Sequence, residues 1–253
     1  MATSPQYGWA EPDNSSLVKN GASDIRTLGD AIDTSLWNSG FGQAAKNKLI
    51  NPNFSVWQRG TTFNSIATGT YTADRWTGLF INGTINATQQ AFTAGTAPVA
   101  GYESQYFLRL ARTSTAGTAD FFGQKIEDVR TFAGQTATIS FWAKCSTASA
   151  NGIIFYLSQN FGSGGSSSVD ISASTTTGSV TTGWVRYSAT FTVPSIAGKT
   201  IGTGSSLQMI FSFPTAHGNV SFDIWGVQVA IELKVVPRCQ TEKLGFINLF
   251  LAA

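Results

Sequence analysis

Between Asn51 and about residue 230 the side chains change character at every second position, and that period leaves few folds open to the chain. Residues 184–193 carry it most clearly. Val185, Tyr187, Ala189, Phe191 and Val193 share one side of an extended segment, and Arg186, Ser188, Thr190 and Thr192 share the other. Tyr106, Leu108 and Leu110 alternate in the same way with Phe107, Arg109 and Ala111, and Ile139, Phe141 and Ala143 with Thr138, Ser140 and Trp142. Leu207, Met209, Phe211 and Phe213 make another face, and Val220, Phe222 and Ile224 continue the pattern to Gly226-Val227-Gln228. Residues 119–126 are a further apolar-rich run, and 152–157 are apolar on both sides, as in a central strand. Half-buried strands separated by Gly-, Ser- and Thr-rich turns predict a mainly β fold, an antiparallel β-sandwich or jelly roll. Residues 162–183 are dominated by Gly, Ser and Thr and read as a long exposed loop, the kind on which sandwiches carry recognition.

Composition agrees with many strands and small-residue turns. Only 12% of the 253 residues are charged, yet 18 Phe, 7 Trp and 6 Tyr supply enough apolar surface to rule out a disordered chain. A net charge of +2, with scattered basic residues, argues against nucleic acid or an anionic membrane as partner. No run approaches the roughly 18 apolar residues that a membrane-spanning helix needs. Met1-Ala2-Thr3-Ser4-Pro5 has neither a basic start nor an apolar core, so synthesis and folding in a cytoplasm are expected. Cys145 and Cys239 stand far apart without metal-ligand spacing and read as a small strand residue and a surface thiol.

Three regions are expected: an N-terminal segment over 1–47, the β body over 48–230 and a tail over 231–253. In the first, Pro5 and Pro12 hold an extended stretch around Trp9. Ile25, Leu28, Ile32 and Leu36 then recur three and four apart, which predicts an amphipathic helix from Ala22 to Trp37, capped by Asn20 or Ser23 and stopped by Gly40. A helix this short is marginal alone and must dock. Its own sandwich, two further copies of itself, or another protein would serve. The tail ends in an apolar stretch, 246–253, that should be covered.

Asn51-Pro52 signals a turn. An extended segment is predicted after it, with Phe54, Val56 and Gln58 on one side and Ser55, Trp57 and Arg59 on the other. Asp74-Arg75-Trp76 places an acid, a planar cation and an indole together, suited to locking a strand to its neighbour. Asn53, Trp57, Arg59, Asp74, Arg75 and Trp76 are therefore expected to be structural.

Asn51, Asn53-Phe54, Trp57-Gln58-Arg59-Gly60-Thr61 and Tyr71-Thr72-Ala73-Asp74-Arg75-Trp76 resemble the opening of a family of bacteriophage virion proteins, tail-fibre or receptor-binding-like chains with a carbohydrate-binding-like body. The resemblance spans about Lys48 to Val229. A separate one covers Pro5 to Trp9, Leu17 to Gly21 and Asp24 to Gly29, similar to the segment that attaches phage fibres to the particle. It implies attachment or oligomerisation through Trp9, Ile25, Leu28, Ile32 and Leu36. Phe222 to Gln228 also matches, but the closing expected after it is absent, so the family's use of that tail does not carry over. The resemblance implies a structural virion protein, a short tail fibre made in the host cytoplasm, homotrimeric, bound to other virion proteins by its N-terminus and adsorbing to host-surface glycan. A head fibre or capsid decoration is the alternative, and a glycan hydrolase a further one.

Catalysis finds little support in the residues, and the chain is expected not to be an enzyme. His217 lies in a turn and reads as solvated, and no nucleophile elbow, zinc motif or phosphate loop occurs. Asp120, Glu127, Asp128, Asp170 and Asp223 are the carboxylates from which a hydrolytic pair would have to come. No cofactor, metal or catalytic residue is assigned. Sugar binding is the sharper expectation, because pyranose C–H faces stack on aromatic rings while amides, acids and guanidinium groups bond the hydroxyls. Trp142 and Trp184 are the aromatic candidates, with Gln159, Asn160 and Asp170 as polar partners.

Overall fold

The computed structural model describes residues 2–3, 10–11, 20–38, 47–99, 104–148 and 151–231, with the backbone alone for 2–3, 10–11, 22 and 33–38. It is mainly β. A two-residue pair, β1 (Ala2–Thr3) with β2 (Ala10–Glu11), precedes helix α1 (Gly21–Asn38), and the body follows. Its strands are β3 (Thr62–Phe63), β4 (Trp76–Phe80), β5 (Thr84–Ala91), β6 (Tyr106–Ser114), β7 (Ala119–Glu127) and β8 (Thr136–Cys145). They continue as β9 (Ile154–Asn160), β10 (Val169–Ile171), β11 (Val185–Thr192), β12 (Ser206–Pro214) and β13 (Ser221–Ile231). Two antiparallel sheets result, one ordered β11-β8-β13-β6-β5-β3 and the other β10-β9-β12-β7-β4. The fold is a β-sandwich of the jelly-roll kind.

The period-two faces become the core because each sheet turns its apolar side to the other. Phe141 of β8 meets Phe155 of β9 and Phe211 of β12 edge-on, with ring centroids 4.9 and 4.8 Å apart. Leu108, Leu110, Ile139, Met209, Phe222 and Ile224 fill in around them. On β11 the expected inward set fades along the strand. Phe191 and Val193 are buried, Tyr187 and Ala189 half-buried, and Val185 is exposed, because β11 is an edge strand.

Asn47 and Lys48 join the body's start to its last strand. Lys48 N–H donates to Val229 O at 3.0 Å, and the Asn47 side chain bonds Val227 O and Val229 N–H.

Four expectations are corrected here. The segment after Asn51-Pro52 is a compact turn, with Asn51 and Phe54 both at positive φ, so Phe54 is fully buried while Val56 is exposed. Residues 162–183 are no free loop. They contain β10, and backbone bonds tie Ser163 to Thr203, Ser166 to Thr200 and Thr177 to Ile153. Gly165 packs so closely that a Cβ would stand 2.3 Å from Phe161 O. The helix runs from Gly21 to Asn38, and Ser23 does not cap it: its Oγ donates back to Asn20 O at 2.8 Å. His217 is buried rather than solvated.

On α1, Ile25 is 66% exposed, while Leu28 and Ile32 are half-buried. Trp9, Gly40, Cys239 and the tail from 232, with the expectations placed on them, lie outside the described residues, as does the side chain of Leu36.

Candidate functional site

Asn51 and Trp76 anchor the opening motif. Trp76 is fully buried, parallel to Phe122 at 6.1 Å and to Phe211 at 6.3 Å, and its indole N–H donates to Asn51 O at 3.0 Å. Asn51 Nδ2 donates to Val56 O and Asp74 O, and Val56 N–H donates to Asn51 Oδ1. Trp57 Nε1 donates to Phe54 O at 2.7 Å. Asp74 accepts from Gln58 N–H, with Arg59 only at 3.9 Å, and Arg75 reaches Glu127 of β7 at 3.2 Å through one contact. No forked Arg75–Asp74 pair forms; the two side chains take different partners.

The outer face of the six-stranded sheet carries a different set. Strand register puts Arg186 of β11 directly opposite Trp142 of β8, and Trp142 opposite Trp225 of β13. This row floors an open cleft of about 690 Å³, completed by Asn53, Pro98, Val99 and Gln228. A β-bulge between Trp225 and Gln228 shapes its floor, with Gly226 at φ +63° and a position for Cβ only 3.4 Å from Trp142 Cδ1. Trp142 is half-buried, and its indole N–H has no partner among the described residues. Arg186 Nη2 donates to Ser140 Oγ at 3.1 Å and meets no carboxylate among the described residues, and Ser140 in turn donates to Gln228 Oε1 at 3.4 Å. Trp225 is nearly buried, its N–H held by Ser104 Oγ at 2.7 Å. The cleft thus joins a flat apolar ring to a cation and to the Gln228 amide, whose Oε1 alone is spent on Ser140.

One strand turn away the same face is committed internally. Arg109 grips Asp223 through two bonds of 2.6 and 2.8 Å, Lys144 approaches Asp223 at 3.5 Å, and the carboxylate raises the Arg109 pKa. Trp184 packs edge-on to Phe107 and against Phe92, with Lys144 Nζ 5.2 Å from its ring centre.

The five residues named for sugar binding are not brought together. Trp142 and Trp184 belong to the six-stranded side, where only Trp142 lines the cleft. Gln159 points into the core and donates to Pro194 O, while Asn160 and Asp170 sit on the five-stranded sheet. Arg186, Trp225 and Gln228 are not among the residues expected to bind sugar, although Arg186 shares with Trp142 the outward parity that the alternation shows. The carboxylates are likewise dispersed. Asp120 pairs with Arg112, Glu127 with Arg75, Asp128 with Arg130 and Asp223 with Arg109. The Arg130 backbone N–H, more than its side chain, lowers the Asp128 pKa.

No protein-family profile and no curated protein matches the sequence. Solved structures do resemble it. The enzymatically active domain of tailspike protein 4 of bacteriophage CBA120 aligns over 74% of this chain at 17% identity and a TM-score of 0.40, but the chain spans only 21% of that protein. The CBM22-1 xylan-binding domain of a Paenibacillus barcinonensis protein aligns over 74% of this chain and 96% of its own, at 14% identity and 0.42. A cyclase from Fischerella sp. aligns over 75% and 96%, at 12% and 0.45. The assignment to a β-sandwich rests on the two sheets themselves. The expectation that the chain is not an enzyme is corrected by these neighbours: one is a cyclase and another an enzymatically active domain. They give this chain no activity either.

Proposed function

We propose that the chain is a structural protein of a phage particle, of the short tail-fibre kind, that holds host-surface glycan in the cleft over Trp142. The row Arg186–Trp142–Trp225 carries the reading. A sugar ring stacks on the half-buried indole, while Arg186, Gln228 and Asn53 stand where hydroxyls would be bonded. The opening motifs, which resemble those of phage virion proteins, support the particle setting. The exposed Ile25 on α1 supports an N-terminal segment that docks on another virion protein or on further copies in a trimer.

The test is adsorption of the purified full chain to host cells and to their extracted surface polysaccharide. Trp142→Ala and Arg186→Ala each weaken binding by roughly tenfold or more, the scale of about 1.4 kcal/mol, at unchanged melting temperature. Undiminished adsorption in both variants overturns the cleft. Deleting residues 1–45 leaves the Asn47 and Lys48 bonds in place and a folded body, which no longer enters particles. Normal incorporation of that deletion overturns the attachment.

A further inference from the structure

We infer that the outer face of the five-stranded sheet holds a second saccharide site, separate from the Trp142 cleft, that takes a carboxylate-bearing sugar. Lys125 of β7 lies directly opposite Gln208 of β12. A recess of about 320 Å³ is lined by Lys125, Gln208, Asn160 and Thr68, with Tyr71 at its side. A second recess of about 190 Å³ meets it at Tyr71 and Lys125 and extends toward Arg75, Glu127 and Ser206. The two form one trough, and the larger lobe falls within the usual range for small-molecule sites.

Apart from the Arg75–Glu127 pair at its far end, the trough's polar groups have bonding capacity left. Tyr71 is 43% exposed, and Arg59 stacks over its ring at 5.6 Å, fixing a flat surface at the rim. Lys125 is exposed and makes no ion pair with a described residue, unlike Arg75, Arg109, Arg112 and Arg130. Asn160 is oriented by the Gly162 N–H, which donates to its Oδ1 at 2.9 Å, so its Nδ2 remains available. Gln208 spends only its Nε2, on a long 3.4 Å contact with Ser206, and keeps its Oε1. An unpaired ammonium beside an aromatic ring and two amides suits a pyranose with a carboxylate: the ring stacks, the amides take hydroxyls and Lys125 takes the charge. A neutral sugar would also accept bonds from that ammonium, but only a carboxylate pairs with its charge.

The test is equilibrium binding of the full chain to a panel of hexuronate and sialate oligosaccharides, with their neutral counterparts alongside. At least one acidic member binds saturably and more weakly as salt rises. Its affinity falls roughly tenfold or more in Lys125→Gln and in Tyr71→Ala, whose side chains are exposed, and holds in Trp142→Ala. Failure of every acidic saccharide to bind, equal binding of the neutral forms, or full binding by Lys125→Gln overturns the site. Loss in Trp142→Ala with retention in Lys125→Gln assigns the acidic sugar to the first cleft and likewise overturns this one. Because the two sets of variants are independent, either site stands or falls without the other.

Discussion

Arg112 Nη2 lies 2.7 Å from Asp120 Oδ2 between the sheets, with both side chains at 1% exposure or less. Arg112 also bonds the carbonyls of Phe213 and Pro214, and Asp120 Oδ1 accepts the N–H groups of Asn82 and Gly83. The pair therefore ties β6, β7, the end of β12 and the turn before β5 into one polar knot inside an apolar layer. Removing one partner leaves a buried charge and several backbone groups unmet.

Asp120→Ala should cost about 3–5 kcal/mol, read by urea unfolding. Replacing both residues by apolar ones of similar volume should cost clearly less than the two single changes added together. Additive losses in that double-mutant cycle would count against the knot.

His217 makes stability depend on pH. Burial pushes its pKa below the ordinary value; the Gly152 carbonyl, 3.1 Å from Nε2, opposes that shift, and the Arg112 cation adds to it. A depressed folded pKa means that the unfolded chain takes up the proton first. Stability from this residue is complete above about pH 6.5 and falls below it, by at most about 1.4 kcal/mol per pH unit, until the folded form also protonates. Thermal melts from pH 8 to 5 should show the decline in the natural chain and a smaller one in His217→Gln.

Asn51 does more than mark a turn. It holds a left-handed backbone (φ +54°) and spends its amide on Val56 and Asp74, while its carbonyl takes the Trp76 N–H. Asn51→Ala loses three side-chain bonds and the residue type that tolerates this φ, so a loss of about 2–4 kcal/mol is expected in denaturant unfolding. Trp76→Ala should cost about 3–5 kcal/mol by the cavity it leaves.

Gly226 sets the cleft floor. Gly226→Ala places a Cβ at φ +63° against Trp142 and should destabilise by about 1 kcal/mol while changing the Trp142 environment. Altered glycan affinity and tryptophan emission, with a modest fall in melting temperature, is the expected result.

The sheet faces were legible in the chain. Leu108, Ile139, Phe141, Met209 and Phe211 fall inward because alternation is a local property of extended backbone, and all five lie in the one buried apolar core. The opening motif reads as extended after Asn51-Pro52 because Phe54, a bulky aromatic, gives no compositional sign of the positive φ it adopts. Its structural role was legible all the same in the aromatic and amide residues that the turn buries.

The alternation by itself determined that Trp142 and Arg186 face outward, and that a β-sandwich would bury the opposite side. Only tertiary structure decided their neighbours. Strand order places residues 186, 142 and 225 in one row, and a bulge at Gly226 turns Gln228 to join them. It likewise decides which face of β9 is covered, so that Gln159 is buried while its neighbour Asn160 lines the outer recess. Register is fixed by pairing between distant segments, and a period of two is the same whichever strand lies next door.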